Sequence, residues 1–135
     1  METLQLFIEI EALKAQVAEL KAREKFFRYF VENANDLIYA LDPNGVFTYI
    51  SPNWPEHLGH EVSEVIGQSF EPFVHPQDVE ACRAFLHKIL ASGEKQEGIK
   101  YRVKHKNGTW IWHLSNASPV MDENGQVNAF FGIAR

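Results

Sequence analysis

Apolar residues recur through the first thirty positions at alternating steps of four and three: Leu6, Ile10, Leu13, Val17 and Leu20, and the frame runs on through Glu24, Phe27 and Val31. That spacing predicts a helix over residues 4–31 with a single apolar stripe. With Ile10 at heptad position a, Val17 also falls at a, and Leu6, Leu13 and Leu20 fall at d. β-Branched residues at a with leucine at d favour a parallel two-stranded coiled coil. Glu9 at g would then meet Lys14 at e of a partner chain. Two features pull the other way. Glu24 occupies an a position, and Arg23 at g would face Arg28 at e. Beyond Leu20 the pattern turns aromatic, with Phe26, Phe27, Tyr29 and Phe30, a composition suited to capping a globular core. Two readings stay open: a dimer seam formed by Leu6, Ile10, Leu13, Val17, Leu20 and Phe27, or an amphipathic helix lying on its own domain.

After residue 36 the period changes from helical to alternating. Three Asn-Gly pairs, at 44–45, 107–108 and 124–125, punctuate strand-like runs. Asn-Gly is a strong hairpin signal because both residues accept positive φ at little cost. The first pair joins 37–42 to 46–51, the second joins 99–105 to 109–118, and the third leads to 126–134. Five antiparallel strands are expected, two early and three late. In the third, Ile99, Tyr101, Val103 and His105 alternate with Lys100, Arg102, Lys104 and Lys106, so one face is dry and the other wet. The last run, Val127–Ala134, is apolar on both sides and predicts a central strand covered twice.

Pro52 and Pro55 stop the second strand, since proline donates nothing to a ladder. Residues 53–74 read as two or three short helical turns. A longer helix follows, with Pro76 in its first turn, Asp78 near its positive end and Gly93 closing it. Val79, Cys82, Leu86, Ile89 and Leu90 share a face at helical spacing and are expected to meet the sheet. The chain thus reads as an N-terminal helix, 1–31, followed by an α+β domain, 32–135: a five-stranded antiparallel sheet with helices on one face.

Composition adds bounds rather than a function. The 135 residues carry 13 Lys and Arg against 18 Asp and Glu, and the excess acid lies wholly beyond residue 30. A mildly acidic domain argues against nucleic acid as the partner. The single cysteine, Cys82, excludes an internal disulfide and fits a reducing, cytoplasmic setting. Charges interrupt every apolar run before it reaches membrane-spanning length, so this chain is expected to make no membrane contact.

Three fragments in register resemble the PAS family. NANDLIYALDPNGVFTYISPNW resembles its first hairpin. LGHEVSEVIGQSFEPFVHPQD resembles its middle, including Gly59, Ser63–Gly67 and the approach to the long helix through His75, Pro76 and Asp78. KNGTWIWHLSNASPVMDENGQVNAFFGIAR resembles its closing three strands. The resemblance runs from residue 26 to the end. It implies a non-catalytic sensor or relay module of bacterial signalling proteins such as sensor histidine kinases or cyclic-di-nucleotide enzymes. It also implies a homodimer paired through the preceding helix and an effector following the Gly132-Ile133-Ala134-Arg135 segment, beyond this chain.

The family differs mainly in what its cavity holds. Flavin-photoadduct members need a reactive cysteine in the short helix before the long one, and residues 67–73, GQSFEPF, contain none. Haem members place a histidine on the long helix where this chain has Cys82; a thiolate can hold haem, but a lone buried cysteine behaves as a small hydrophobe. No cofactor is therefore expected. His57 and His60 have helical metal-site spacing beside Glu56 and Glu61, but they lack a third anchored ligand, and no metal is expected. No nucleophile, base and acid can be set together from local spacing, so no catalytic residue is proposed. What remains is an apolar cavity with Phe70, Phe73, Cys82, Leu86, Tyr101 and Trp112 as candidate walls, open to a small apolar or carboxylate metabolite, or simply a filled core.

Overall fold

In a computed structural model of the chain, residues 2–32 and 35–135 are described. The chain divides into two compact units, Met1–Asn33 and Ala34–Arg135.

The first unit is helix α1, Glu2–Glu32. Its stripe is exposed: Leu6 58%, Ile10 49%, Leu13 58%, Val17 48% and Leu20 62%. The aromatic residues Phe26, Phe27, Tyr29 and Phe30 are also exposed on it. The last stripe position, Val31, lies outside the described side chains. The two arginines that would oppose each other across a seam are each held within their own helix. Arg23 bonds Glu19 at 2.6 Å and Arg28 bonds Glu24 at 2.5 Å. Each such i,i+4 pair is worth only about 0.3–0.5 kcal/mol, but it screens the arginine charge and partners the glutamate at the anomalous a position. Lys14 is 3.5 Å from Glu11 of its own chain.

The second unit is the five-stranded antiparallel sheet with its helices. Strands β1 (Leu37–Leu41) and β2 (Phe47–Ile50) come first. The middle segment holds three short turns: α2 (Trp54–Leu58), α3 (Val62–Val65) and a 3-10 turn, Glu71–Phe73. Helix α4 (Val79–Ser92) leads to β3 (Gln96–Lys104), β4 (Trp110–Met121) and β5 (Val127–Ala134). The sheet order is β2-β1-β5-β4-β3, so the last strand sits in the middle and joins the early hairpin to the late one.

The hairpin turns form where expected, by a different device. Only the glycines adopt positive φ (82°, 92° and 78° at Gly45, Gly108 and Gly125); the asparagines do not. The residue two before each asparagine organises the loop instead. Asp42 Oδ1 accepts from the backbone N–H groups of Asn44 and Val46, and Asp122 Oδ1 from those of Asn124 and Gln126. His105 Nδ1 accepts from Asn107 N–H. Each loop is a side-chain-capped turn closed by a left-handed glycine rather than a two-residue turn with two positive φ values.

Four further expectations shift. Helix α4 starts at Val79 with Asp78 as its cap, so Pro76 lies in the preceding turn. Leu90 is exposed, leaving Cys82 and Ile89 as the buried residues of that helix. Strand β5 is central but not dry on both faces: Phe130 is 1% exposed while Ile133 on the opposite face is 39%. Trp112 points away from the core, as described below. Among the described residues, no helix is long and apolar enough to cross a membrane.

Candidate functional site

Side-chain parity on β3 and β4 decides what faces the helices. The hairpin pairs Tyr101 with His113 and Arg102 with Trp112. Successive strand side chains alternate faces, so Tyr101 and His113 go inward together and Trp112 goes outward with Arg102. Trp112 is 59% exposed, with the Arg102 guanidinium 5.0 Å from its ring centroid. Trp112 is therefore not a cavity wall. Aromaticity suggested it; the pleat excludes it, and the already legible dry face of Ile99, Tyr101 and Val103 carried the signal.

The other five candidates do meet. Phe70, Phe73, Cys82, Leu86 and Tyr101 line one cavity of about 60 Å³ between the sheet and the helical segment. Ten further residues line it that were not named as walls from the sequence, among them Tyr39, Trp54, Phe85 and His113. Phe47 supplies an aromatic partition, edge-on to Tyr39, Trp54 and Phe73 at 6.4, 5.8 and 6.0 Å.

Polar atoms cluster on the sheet side of this cavity. The hydroxyls of Tyr39 and Ser115 are 2.6 Å apart, and Tyr101 shares their network. Ser115 is fully buried. Gly132, opposite Tyr39 in the β1–β5 ladder, makes this possible: a Cβ there would overlap the Tyr39 phenol, which lies across the β5 backbone. Burial drives every titratable group here toward its neutral form. It raises the Tyr39 and Tyr101 hydroxyls, lowers His113, and pushes the Cys82 thiol up to about 12.

Trp54 is the exception to good pairing. Its residue is 5% exposed, and its indole Nε1–H is buried with no hydrogen-bond partner. Its neighbours on the same loop are well satisfied. Ser51 Oγ accepts from Ile38 N–H at 3.0 Å and bonds Asn53 Oδ1, whose amide donates to Asp36 O. The segment Ser51-Pro52-Asn53 thus clamps the start of β1.

One ion pair anchors the cavity's helical wall. The Arg102 guanidinium forks onto Asp78, Nε to Oδ2 at 2.9 Å and an Nη to Oδ1 at 3.0 Å, while Arg102 N–H also donates to Oδ2 at 2.8 Å. This ties the start of α4 to β3. The pairing holds the Asp78 carboxyl down at about 2.

His60 and His75 have structural partners. His60 Nε2 is 3.1 Å from Lys104 O, and its ring stands edge-on to Phe73. His57 is exposed. His75 Nδ1 accepts from Gln77 N–H and its ring meets Trp110 at 4.7 Å. Among the described residues, no three His, Cys, Asp or Glu side chains group to hold a metal ion.

Comparison with known proteins agrees with this architecture. A family model described as "PAS fold" matches residues 47–134, more than half of the chain. Blue light receptor lreA of Aspergillus flavus is 30% identical over 79% of this chain and 12% of its own length. The methanogenesis regulatory histidine kinase FilI of Methanothrix harundinacea is 26% identical over 93% of this chain and 14% of its own. The chain thus spans a small fraction of the curated relatives it matches. The crystal structure of a PAS domain from Colwellia psychrerythraea superposes with a TM-score of 0.73 at 28% identity, covering 86% of this chain and 94% of that one. A sheet in the order β2-β1-β5-β4-β3, helices closing one face over a small cavity, and a matching family model together make this chain a member of the PAS fold family, a sensor domain.

Proposed function

We propose that this PAS domain is a non-catalytic relay module of a bacterial signalling protein, such as a sensor histidine kinase or a cyclic-di-nucleotide enzyme. It pairs with a second copy through α1 and passes a conformational change to a C-terminal effector. The carrying observation is the seam on α1. Five apolar residues in heptad register stand about half exposed or more, which a lone helix in water does not retain without a partner. The intrahelical pairs of Arg23 and Arg28 remove the main electrostatic objection to a parallel dimer. Such a domain works in the cytoplasm, consistent with a single reduced cysteine. Leu13→Glu combined with Leu20→Glu is expected to give monomers by light scattering, with the sheet domain's circular dichroism unchanged. Dimers that persist after that double change would refute the seam.

A second reading is favoured by the cavity: the domain senses a small molecule bound there. A cavity of about 60 Å³ is far below the few hundred Å³ of ordinary cofactor pockets. Cys82, held as a neutral thiol, is a poor axial ligand for haem iron. Residues 67–73 carry no cysteine for a flavin adduct. Relay without a cofactor and sensing of a small ligand are the two readings these residues support. They part on whether the cavity has an occupant.

A further inference from the structure

We infer that Asn124-Gly125, in the β4–β5 loop, is a self-modifying site. The peptide nitrogen of Gly125 attacks the Asn124 side-chain amide and leaves aspartate or isoaspartate at position 124, while the fold protects the same dipeptide at 44–45 and 107–108. In this step the Gly125 nitrogen gives its proton to hydroxide and bonds to Asn124 Cγ. The Cγ–Nδ2 bond breaks, and the departing nitrogen takes a proton from water to leave as ammonia. Water then opens the cyclic imide at either carbonyl. Nothing is oxidised or reduced, and water with its hydroxide is the only co-reactant.

Three asparagines precede glycine, at 44, 107 and 124; every other asparagine precedes a residue whose side chain shields the attacking nitrogen. The three loops share one restraint. Each glycine N–H donates to the carbonyl three residues back: Gly45 to Asp42 O at 2.9 Å, Gly108 to His105 O at 2.9 Å and Gly125 to Asp122 O at 3.0 Å. The attack needs more than the opening of that bond. The amide must swing toward the nitrogen, and the backbone between them must turn. Asn107 fails on the first count. Its Oδ1 accepts from Thr109 N–H at 3.0 Å and from the Thr109 hydroxyl at 2.6 Å, and the neighbouring Lys106 N–H is held by Leu58 O. Asn44 fails on the second. Gly45 is buried, its carbonyl accepts from Phe70 N–H at 2.9 Å, and a Cβ on it would stand 2.8 Å from the Phe70 ring. Turning this backbone drives it into a packed core side chain. Asn124 has neither lock. Among the described residues no hydrogen bond holds its side-chain amide. Gly125 is exposed, and nothing lies within 4 Å of where its Cβ would stand. Opening there breaks loop bonds alone. The change also places charge where it is unwelcome. The loop already carries Asp122 and Glu123, and Gly125 and Gln126 border a groove shared with Leu90–Gly93 at the end of α4, whose last carbonyls repel a new carboxylate.

The test is incubation of the intact chain at mildly alkaline pH, with peptide mapping by mass spectrometry and isoaspartate read by enzymatic methyl transfer. In the folded protein, position 124 is expected to convert at least about tenfold faster than 44 and 107, the factor that one or two hydrogen bonds impose when they must open first. Its rate should rise with pH, because the attacking nitrogen must lose its proton. In guanidinium chloride the three sites should convert at comparable rates, which would show that the fold and not the dipeptide sets the order. Asn124→Gln, a longer amide that closes its ring poorly, should remove the fast phase and leave the circular dichroism unchanged. Thr109→Val, which deletes the hydroxyl bond to Asn107, should speed conversion at 107 alone. Conversion at 44 or 107 that matches or outruns 124 in the folded chain overturns the assignment. So does a folded chain in which 124 stays unchanged while the unfolded chain converts.

Discussion

Helices α1 and α4 both show apolar residues at helical spacing, yet they owe their stability to different things. In α4, 14 residues long, Ile89 is fully buried and Cys82 7% exposed, and the helix is held by a core. In α1, 31 residues long, not one stripe residue whose side chain is described is buried. Local pairs such as Glu19–Arg23 contribute tenths of a kcal/mol, whereas core burial contributes several. The same amphipathic pattern therefore signals a satisfied interface in one helix and an unsatisfied one in the other. That difference is what supports the proposal that α1 pairs with a second copy.

The contrast has measurable consequences. Ile89→Ala is expected to destabilise the sheet domain by about 2–5 kcal/mol, the cost of a large-to-small change in a filled core. Leu13→Ala, an equal truncation in α1, should move the domain's urea midpoint by no more than about 0.5 kcal/mol equivalent, read from the fluorescence of its three tryptophans, all in the sheet domain. Similar losses from both would mean that α1 is part of the domain's core.

Gly132→Ala is next in size. Displacing the Tyr39 phenol from β5 is expected to cost about 1–3 kcal/mol. In a Tyr39→Leu background the same change should cost much less, because the ring it collides with is absent. Equal costs in both backgrounds would show that Gly132 serves the backbone instead of the tyrosine.

A smaller effect than these core changes concerns the Asp78–Arg102 pair that fixes the start of α4. Its folded carboxyl is depressed from 3.8 to about 2. A depressed acid stabilises the fold above its unfolded pKa, and that contribution is lost as pH falls through the folded value. With solvent screening allowed for, Asp78→Asn should cost about 1 kcal/mol at neutral pH. The gap between wild type and variant should close between pH 4 and pH 2 in urea titrations. A gap that is constant over that range would leave the pair without an electrostatic role.

Much of this architecture could be read directly from the chain. The change from a 3.5-residue repeat to a two-residue one marks the boundary between α1 and the sheet. The three Asn-Gly pairs locate the hairpins, although the capping work belongs to Asp42, Asp122 and His105. Five of the six cavity residues named from sequence do line it. Trp112 fails because residue type was allowed to outrank strand parity, and counting back from the turn at Gly108 to its partner Arg102 would have turned it outward. The wall formed by Tyr39 and His113 was equally available to that count.

Local pattern is enough for strands, turns and a seam, because each depends on residues a few positions apart. The void beside Trp54, its unpaired N–H, and the room that Gly132 leaves for a phenol from another strand are of a different kind. They arise only when α2, α4 and the sheet close on one another, since an empty volume is the remainder of many packed side chains and belongs to no segment of the chain.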